Sequence, residues 1–516
     1  MRFIRKSLFL FGAAFFVLMA PFIIQVLLTP EGYIATGFVA GGCDYETFIA
    51  KMKWGSEGHW SYNNRFTGEI TQPAPIYHFY LFLGHLAGWI GIKLPWMYHL
   101  VRSFLAAFSF VYLYKFLRKH VPVNPFIALI LTVFASGGYL SVLDDVFNTG
   151  FNSGNTDLFL QGRVWLAYIC YPHYCLEFLG VLLLLDSYLS ARSWMALTGG
   201  IIISLVHPFL LGLFCPVILI SSVFRKDYKQ ALMSCSFASL GSLPILIPLS
   251  QAIKEVEWLK IWRNQTRLTV LPFWNYYILG YGLTGIAGWY GFVKWVTSGD
   301  RKKNMYLWAA WMVVAMLLSY TAPLPNKREY AFFFSVPIGI FAAPWIEKGI
   351  CFFKKSTSKL CQLAGPVLVM IVCIWQSIAV YSEALISYTP TTISGCSYIS
   401  PEYQQVFKII EADGADRVVL SEYWYGNMVP AFTKSRPYVG HLCETQNFKE
   451  KKQISEDFLI GRLGKAQMEE VLKNNKITWI VLNKDTMKDS TLVQKLWTPV
   501  FNGQEVILWK VNKEWF

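Results

Sequence analysis

Charge is scarce in this chain. Of its 516 residues only 15% are Asp, Glu, Lys or Arg, against about 25% in a soluble globular protein. That shortfall excludes an ordinary soluble enzyme, and an apolar share of 54% excludes a disordered chain. No C-x-x-C pair occurs among the ten cysteines, which argues against a zinc site of the familiar spacing. A phosphate-cradling glycine loop and a nucleophile elbow are both missing, so nucleotide-driven chemistry finds no support. No Lys/Arg run is interleaved with aromatic residues, which speaks against a nucleic-acid partner. Nor is there an internal repeat.

Long apolar runs are what the chain has. Mean hydropathy is +0.38, and aromatic residues reach 17%, an excess that suits membrane–water interfaces. The charge is divided unevenly. Residues 401–516 carry 16 Lys and Arg and 15 Asp and Glu, whereas the first 400 carry 30 and 17. The composition predicts a membrane domain over 1–390 and a soluble-like domain over 391–516.

Residues 7–28 follow Arg2, Arg5 and Lys6 and are long enough to span a bilayer, so they read as an uncleaved first helix with its N-terminus inside. Further spans are expected at about 97–117, 124–142, 164–186, 194–207, 208–224, 230–251, 271–293, 304–321, 329–346 and 361–385, about eleven in all. The apolar stretch 73–92 is read as a re-entrant or surface helix. Counting it as a span would move every short basic cluster to the outside, against the positive-inside rule. The loop 29–96, the loop 143–163 and the tail from 386 onward then share the outer side of a plasma (inner) membrane. The tail alternates strand-like runs (417–421, 477–483, 505–511) with helical stretches (402–413, 453–461, 465–474), the pattern of a small α/β domain. Cys396 and Cys443 face outward there, where a disulfide is feasible.

The first outer loop carries most of the candidate chemistry. Asp44 and Glu46 follow the first span; a carboxylate there can serve as general base or as ligand of a hard divalent cation. Basic residues at outer helix ends are natural partners of a lipid phosphate: Arg102, Arg163, Arg263, Arg267, Lys327 and Arg328. Arg102 and Arg163 sit within or at the mouth of a span, where an unpaired charge is costly. His207-Pro208 breaks the apolar run 194–224, as a hinge or as a substrate contact. His173 and Glu177 stand four residues apart on one helix face. In the tail, residues 436–452 (RPYVGHLCETQNFKEKK) bring aromatic, His441, Glu444 and a basic cluster into one short stretch.

The order of features in the loop, Asp44-Tyr45-Glu46, then Gly55 to Tyr62 (GSEGHWSY), then Pro73-Ala74-Pro75-Ile76-Tyr77 and an apolar helix, resembles the GT-C superfamily of polytopic glycosyltransferases. The nearest look is to the protein-mannosyltransferase and lipid A aminoarabinose-transferase branch. The resemblance implies a GT-C-like helical membrane fold, a polyprenyl-phosphate sugar donor in the lipid bilayer, and an extracytoplasmic acceptor (glycan, lipid or protein). It implies Asp44 as the favoured base, with Glu46 as its competitor, and a second acid at the outer end of the third span, where Asp144 and Asp145 stand. Tyr77, Arg102, Arg163, His207, Arg263 and Arg328 are the expected substrate contacts. Asp44 and Asp145 are the expected ligands if a divalent cation takes part. Two other readings use the same topology: a transporter or flippase of a lipid-linked or small polar substrate, and a non-enzymatic assembly protein of envelope polysaccharide.

Overall fold

The structure, a computed structural model, describes residues 2–39, 44–136, 162–265, 276–298, 302–321, 327–386, 397–484 and 499–511. Among these, six helices are long and apolar enough to cross a membrane: Arg5–Leu27, Leu94–His120, Pro208–Arg225, Tyr228–Glu255, Glu329–Lys354 and Lys359–Ile386. Three shorter apolar helices accompany them, Pro125–Phe134, Ser193–Val206 and Met305–Thr321. A small sheet region lies in the tail. The expected boundary near residue 390 lies outside the described residues, as does Cys396.

Four helices matter most below: α1 (Arg2–Leu27), α2 (Asp44–Ser56), α3 (His78–Ile90) and α4 (Leu94–His120). At 1.5 Å per residue, α1 is about 39 Å long and exceeds the roughly 30 Å hydrocarbon core. The apolar stretch 73–92 yields only α3, of 13 residues and about 20 Å, too short to cross.

The chain forms two compact units. The first comprises Met1–Pro21, Leu100–Ile247 and Arg267–Ile386. Here proline sets the breaks. The expected span 164–186 divides into Val164–Cys170 and Pro172–Ser190, because Pro172 lacks an N–H and pushes Tyr171 to an extended backbone (φ −132°, ψ 126°). Pro208 likewise ends the helix Ser193–Val206 at His207. Asn124 starts the helix at Pro125 by accepting from the backbone N–H groups of Phe126 and Ile127. Buried Asp186 accepts from His120 (2.7 Å), Tyr112 (2.8 Å) and Lys119 (3.2 Å), which satisfies a carboxylate that would otherwise be costly to bury.

The second unit comprises Phe22–His99, Pro248–Thr266 and Ser387–Phe516. Two short strands, β1 (Ile34–Ala35) and β2 (Tyr398–Ile399), pair antiparallel. The larger sheet contains β3 (Val418–Leu420), β4 (Arg436–Pro437), β5 (Ile477–Asn483), β6 (Phe501–Asn502) and β7 (Val506–Lys510) in the order β4-β3-β5-β7-β6. β4, β3 and β5 run parallel; β7 and β6 close the sheet antiparallel. Side chains alternate across it as strand geometry requires. Leu420, Ile480, Leu482, Ile507 and Trp509 pack under helices Phe448–Leu459 and Lys465–Asn474. Val419, Trp479, Val481, Val506 and Leu508 pack under helices Pro401–Ala412 and Tyr423–Phe432. Both faces are covered, which is what a central parallel strand needs.

α2 and α3 pack unusually close. A Cβ at Gly84 would lie 1.9 Å from the Met52 carbonyl oxygen, and one at Gly55 would lie 2.2 Å from that of Leu81. Only glycine admits this approach.

Candidate functional site

Asp44 opens α2 and Glu46 follows within its first turn. Carboxylates there are favoured by the helix dipole. Residues two apart on a helix point about 200° away from each other, so the two acids meet different surroundings. The Asp44 side chain is about half exposed and its Oδ1 lies 2.8 Å from His441 Nε2. A carboxylate oxygen only accepts, so Nε2 carries the proton in this bond. His441 is mostly buried, and its ring meets Phe66 edge-on. Glu46 is buried, with Oε1 lacking a hydrogen-bond partner. Burial, supplemented by the Asp44 charge, pushes its carboxyl up to about 8.

Beside Asp44 lies a buried ion pair. Lys51 Nζ donates to Glu444 Oε1 at 2.6 Å, with both side chains almost fully enclosed. Tyr62 OH donates to Glu444 Oε2 (2.9 Å) and Tyr77 OH to Oε1 (3.3 Å), so both carboxylate oxygens are used. The Lys51 ammonium also sits 4.0 Å from the Tyr77 ring centroid and 5.2 Å from that of Phe48, a cation–π enclosure. Burial and the neighbouring Glu444 charge hold the Tyr62 and Tyr77 hydroxyls well above their usual range, so both remain donors. Tyr77 adopts a left-handed backbone (φ 60°, ψ 24°), a strain of about 1–3 kcal/mol for a bulky residue.

The loop and the tail are joined along a broad seam. Asn64 Nδ2 donates to the Glu444 carbonyl (2.6 Å) and Thr445 Oγ1 to that of Phe66 (2.6 Å). Arg65 pairs with Asp416 (2.6 Å) and donates to the Lys434 carbonyl. The 436–452 segment, distinctive in the sequence, thus meets the helix that carries Asp44.

The other expected residues stand elsewhere. Arg102 is fully buried and donates to the carbonyls of Tyr168 (2.8 Å), Ile169 (2.7 Å) and Leu18 (2.7 Å). Arg163, also buried, reaches Gln376 and the Gly280 carbonyl (2.8 Å). His207 Nδ1 lies 3.1 Å from Glu177, so Glu177 bonds across the chain to His207. These residues belong to the first unit. Arg263 is exposed on the helix Glu257–Gln265 of the second. Arg328 has a described backbone, in the turn Lys327–Ala331, but its side chain lies outside the described residues, as do that of Lys327 and all of Asp144, Asp145 and Arg267. Lys51 gave no sequence signal: a lysine on a helix beside Lys53 reads as a solvated face.

Solved structures of an archaeal oligosaccharyltransferase and of a mycobacterial arabinofuranosyltransferase share the fold of this chain. The Archaeoglobus fulgidus oligosaccharyltransferase in its apo form superimposes with a TM-score of 0.57 and 12% identity, covering 99% of this chain and 74% of its own. The same enzyme, AglB, in complex with an inhibitory peptide and a dolichol-phosphate gives 0.52 at 12% identity, covering 97% and 74%. The arabinofuranosyltransferase AftD from Mycobacteria gives 0.50 at 11%, covering 99% of this chain and 42% of that one. A scan of protein-family models and a search of curated proteins both return no match.

Proposed function

We propose that this chain is a membrane glycosyltransferase that moves a sugar from a polyprenyl-phosphate donor to an extracytoplasmic acceptor. The observation that carries the reading is Asp44: a half-exposed carboxylate fixed by His441 at 2.8 Å on a helix that a buried ion pair also holds. Such a carboxylate is oriented yet open to a reactant, which is what a general base requires. An acceptor hydroxyl attacks the anomeric carbon and gives its proton to an Asp44 oxygen. The bond from that carbon to the phosphate oxygen breaks, and polyprenyl phosphate departs. His441 steadies the Asp44 oxygen it bonds.

In the same reading about eleven helices span the plasma membrane, and the 391–516 domain lies with the loop 29–96 on the outer side. Arg163, His207, Arg263 and Arg328 are proposed for the donor side. Three main-chain carbonyls already occupy Arg102, so its proposed contribution is to hold helices rather than phosphate. Asp144 and Asp145 are proposed to face the same chemistry as Asp44. For a divalent cation, no group of three His, Cys, Asp or Glu side chains converges among the described residues, and no step above passes through a metal.

Purified chain is to be assayed with a polyprenyl-phosphate sugar and envelope glycans, lipids or proteins as acceptors. Asp44→Asn is expected to abolish transfer while expression and donor binding persist. Full activity in that variant would overturn the mechanism. Movement of substrate across sealed vesicles without a new glycosidic bond would establish the transporter alternative.

A further inference from the structure

The tail sheet has a cavity of about 580 Å³ that the transfer step does not use, within the size range of small-ligand sites. It lies where β5 begins and β7 ends, beside the last turn of the helix Lys465–Asn474. Four cationic side chains, Arg417, Lys473, Lys476 and Lys510, share it with one carboxylate, Asp413. Asp413 accounts for two of the four. Arg417 Nε lies 3.2 Å from its Oδ2, and Lys510 donates to its Oδ1. Lys473 and Lys476 are exposed and have no ion-pair partner among the described residues.

A cation in the last turn of a helix is ordinarily explained by the helix dipole, and that covers Lys473. It does not cover Lys476. This residue follows the C-cap Asn475 and has a left-handed backbone (φ 50°), at a position that glycine or asparagine usually fills. A lysine there is strained, and strain of this kind points to a use for the side chain that is kept. The rest of the lining sets the chemistry of the ligand. Asn474 and Thr478 bring an amide and a hydroxyl, and Val511 is the only apolar residue among the described lining, so no wall suits a lipid chain. No aromatic ring is among the described lining residues, so nucleobases find no stacking platform. Two ammonium groups without a counter-charge attract an oxyanion. The Asp413 carboxylate in the same wall repels a bare anion and accepts from hydroxyls. A molecule with both anionic groups and hydroxyls satisfies the whole lining.

We propose that this cavity binds an anionic saccharide, its carboxylate or phosphate groups against Lys473 and Lys476 and its hydroxyls against Asp413, Asn474 and Thr478. The acceptor is then a glycan with charged sugars. That role rests on the proposed function; the binding itself does not.

The full-length chain in detergent is titrated calorimetrically with trigalacturonate, glucose-6-phosphate, maltotriose, inorganic phosphate and phosphatidylglycerol vesicles. Trigalacturonate or glucose-6-phosphate is expected to bind, and the tighter of the two tells carboxylate from phosphate. Maltotriose should bind about tenfold more weakly for want of charge-assisted hydrogen bonds, and the affinity of the anionic saccharide should fall as salt rises. The double variant Lys473→Glu/Lys476→Glu, at two exposed positions, should abolish binding. Lys476→Gly should weaken it about threefold while raising the thermal midpoint, since glycine relieves the left-handed strain. A lysine of purely structural use would move the midpoint alone. Asp44→Asn, expected to stop transfer, should leave this binding unchanged. A wild-type chain that binds these saccharides and transfers no sugar would keep the site and remove the transfer mechanism. Equal affinity for maltotriose, tighter binding of inorganic phosphate than of either anionic saccharide, preference for the vesicles, or indifference to the double variant would each overturn the assignment.

Discussion

Asp44 and His441 are 397 residues apart in the chain and 2.8 Å apart in space. The acid comes from the first turn of α2 and the imidazole from the turn after β4. In the proposed mechanism one element supplies the base and a distant one fixes its rotamer, so substitution of the second should disturb function more than stability.

His441→Ala is therefore expected to lower transfer by about 100-fold, the cost of roughly 1 Å of misplacement, mainly in kcat. The thermal midpoint should move little, because the bond is partly solvated. His441→Asn, which retains a donor, should recover part of the rate. A KM effect alone would contradict the positioning role.

Lys51→Met should destabilise the second unit by about 3–5 kcal/mol, since it strands Glu444 without a counter-charge. The double variant Lys51→Met/Glu444→Leu should regain a good part of that loss. Denaturant unfolding of the single and double variants measures the coupling.

Glu46 gives a pH signature. Its folded pKa of about 8 lies above the ordinary 4.5, so the folded state holds a proton that the unfolded state releases. The contribution of this group to stability is fully present below pH 4.5. It is lost as pH rises, by about 1.4 kcal/mol per unit, until it levels off beyond about 8. Glu46→Gln should match the wild type near pH 4.5 and become progressively more stable than it toward pH 8, read as thermal midpoints across that range.

Gly84→Ala places a methyl group against the Met52 carbonyl. The two helices must separate, and overpacking of this kind costs about 1–3 kcal/mol. Because α2 carries Asp44, activity should fall along with the midpoint. Gly58→Ala offers a control for crowding, as its added Cβ meets open space, although its positive φ imposes a backbone strain of its own.

Much of the fold was legible in the sequence. The first helix, the short helix within 73–92 and the three strands β3, β5 and β7 fall where apolar length and alternation place them. The helix Tyr423–Phe432 was not expected, because Gly426 and Pro430 disguise its pattern. The division at Tyr171 follows from Pro172, a signal masked by the continuity of the apolar residues around it. The site was legible only in pieces. Asp44 and the His441–Glu444 segment each stood out, but pairing between residues nearly 400 apart leaves no trace in local composition. Lys51 was invisible for the same reason: its burial depends on Glu444, Tyr62 and Tyr77 arriving from three other stretches.

The seam between the first loop and the tail also bears on biogenesis. At about 5–20 residues per second, the ribosome reaches Glu444 and His441 roughly 20–80 s after Asp44 and Lys51 have been made. Throughout that interval the lysine lacks its counter-ion and the acid lacks its imidazole. A chain released before residue 441 is left with neither pair formed.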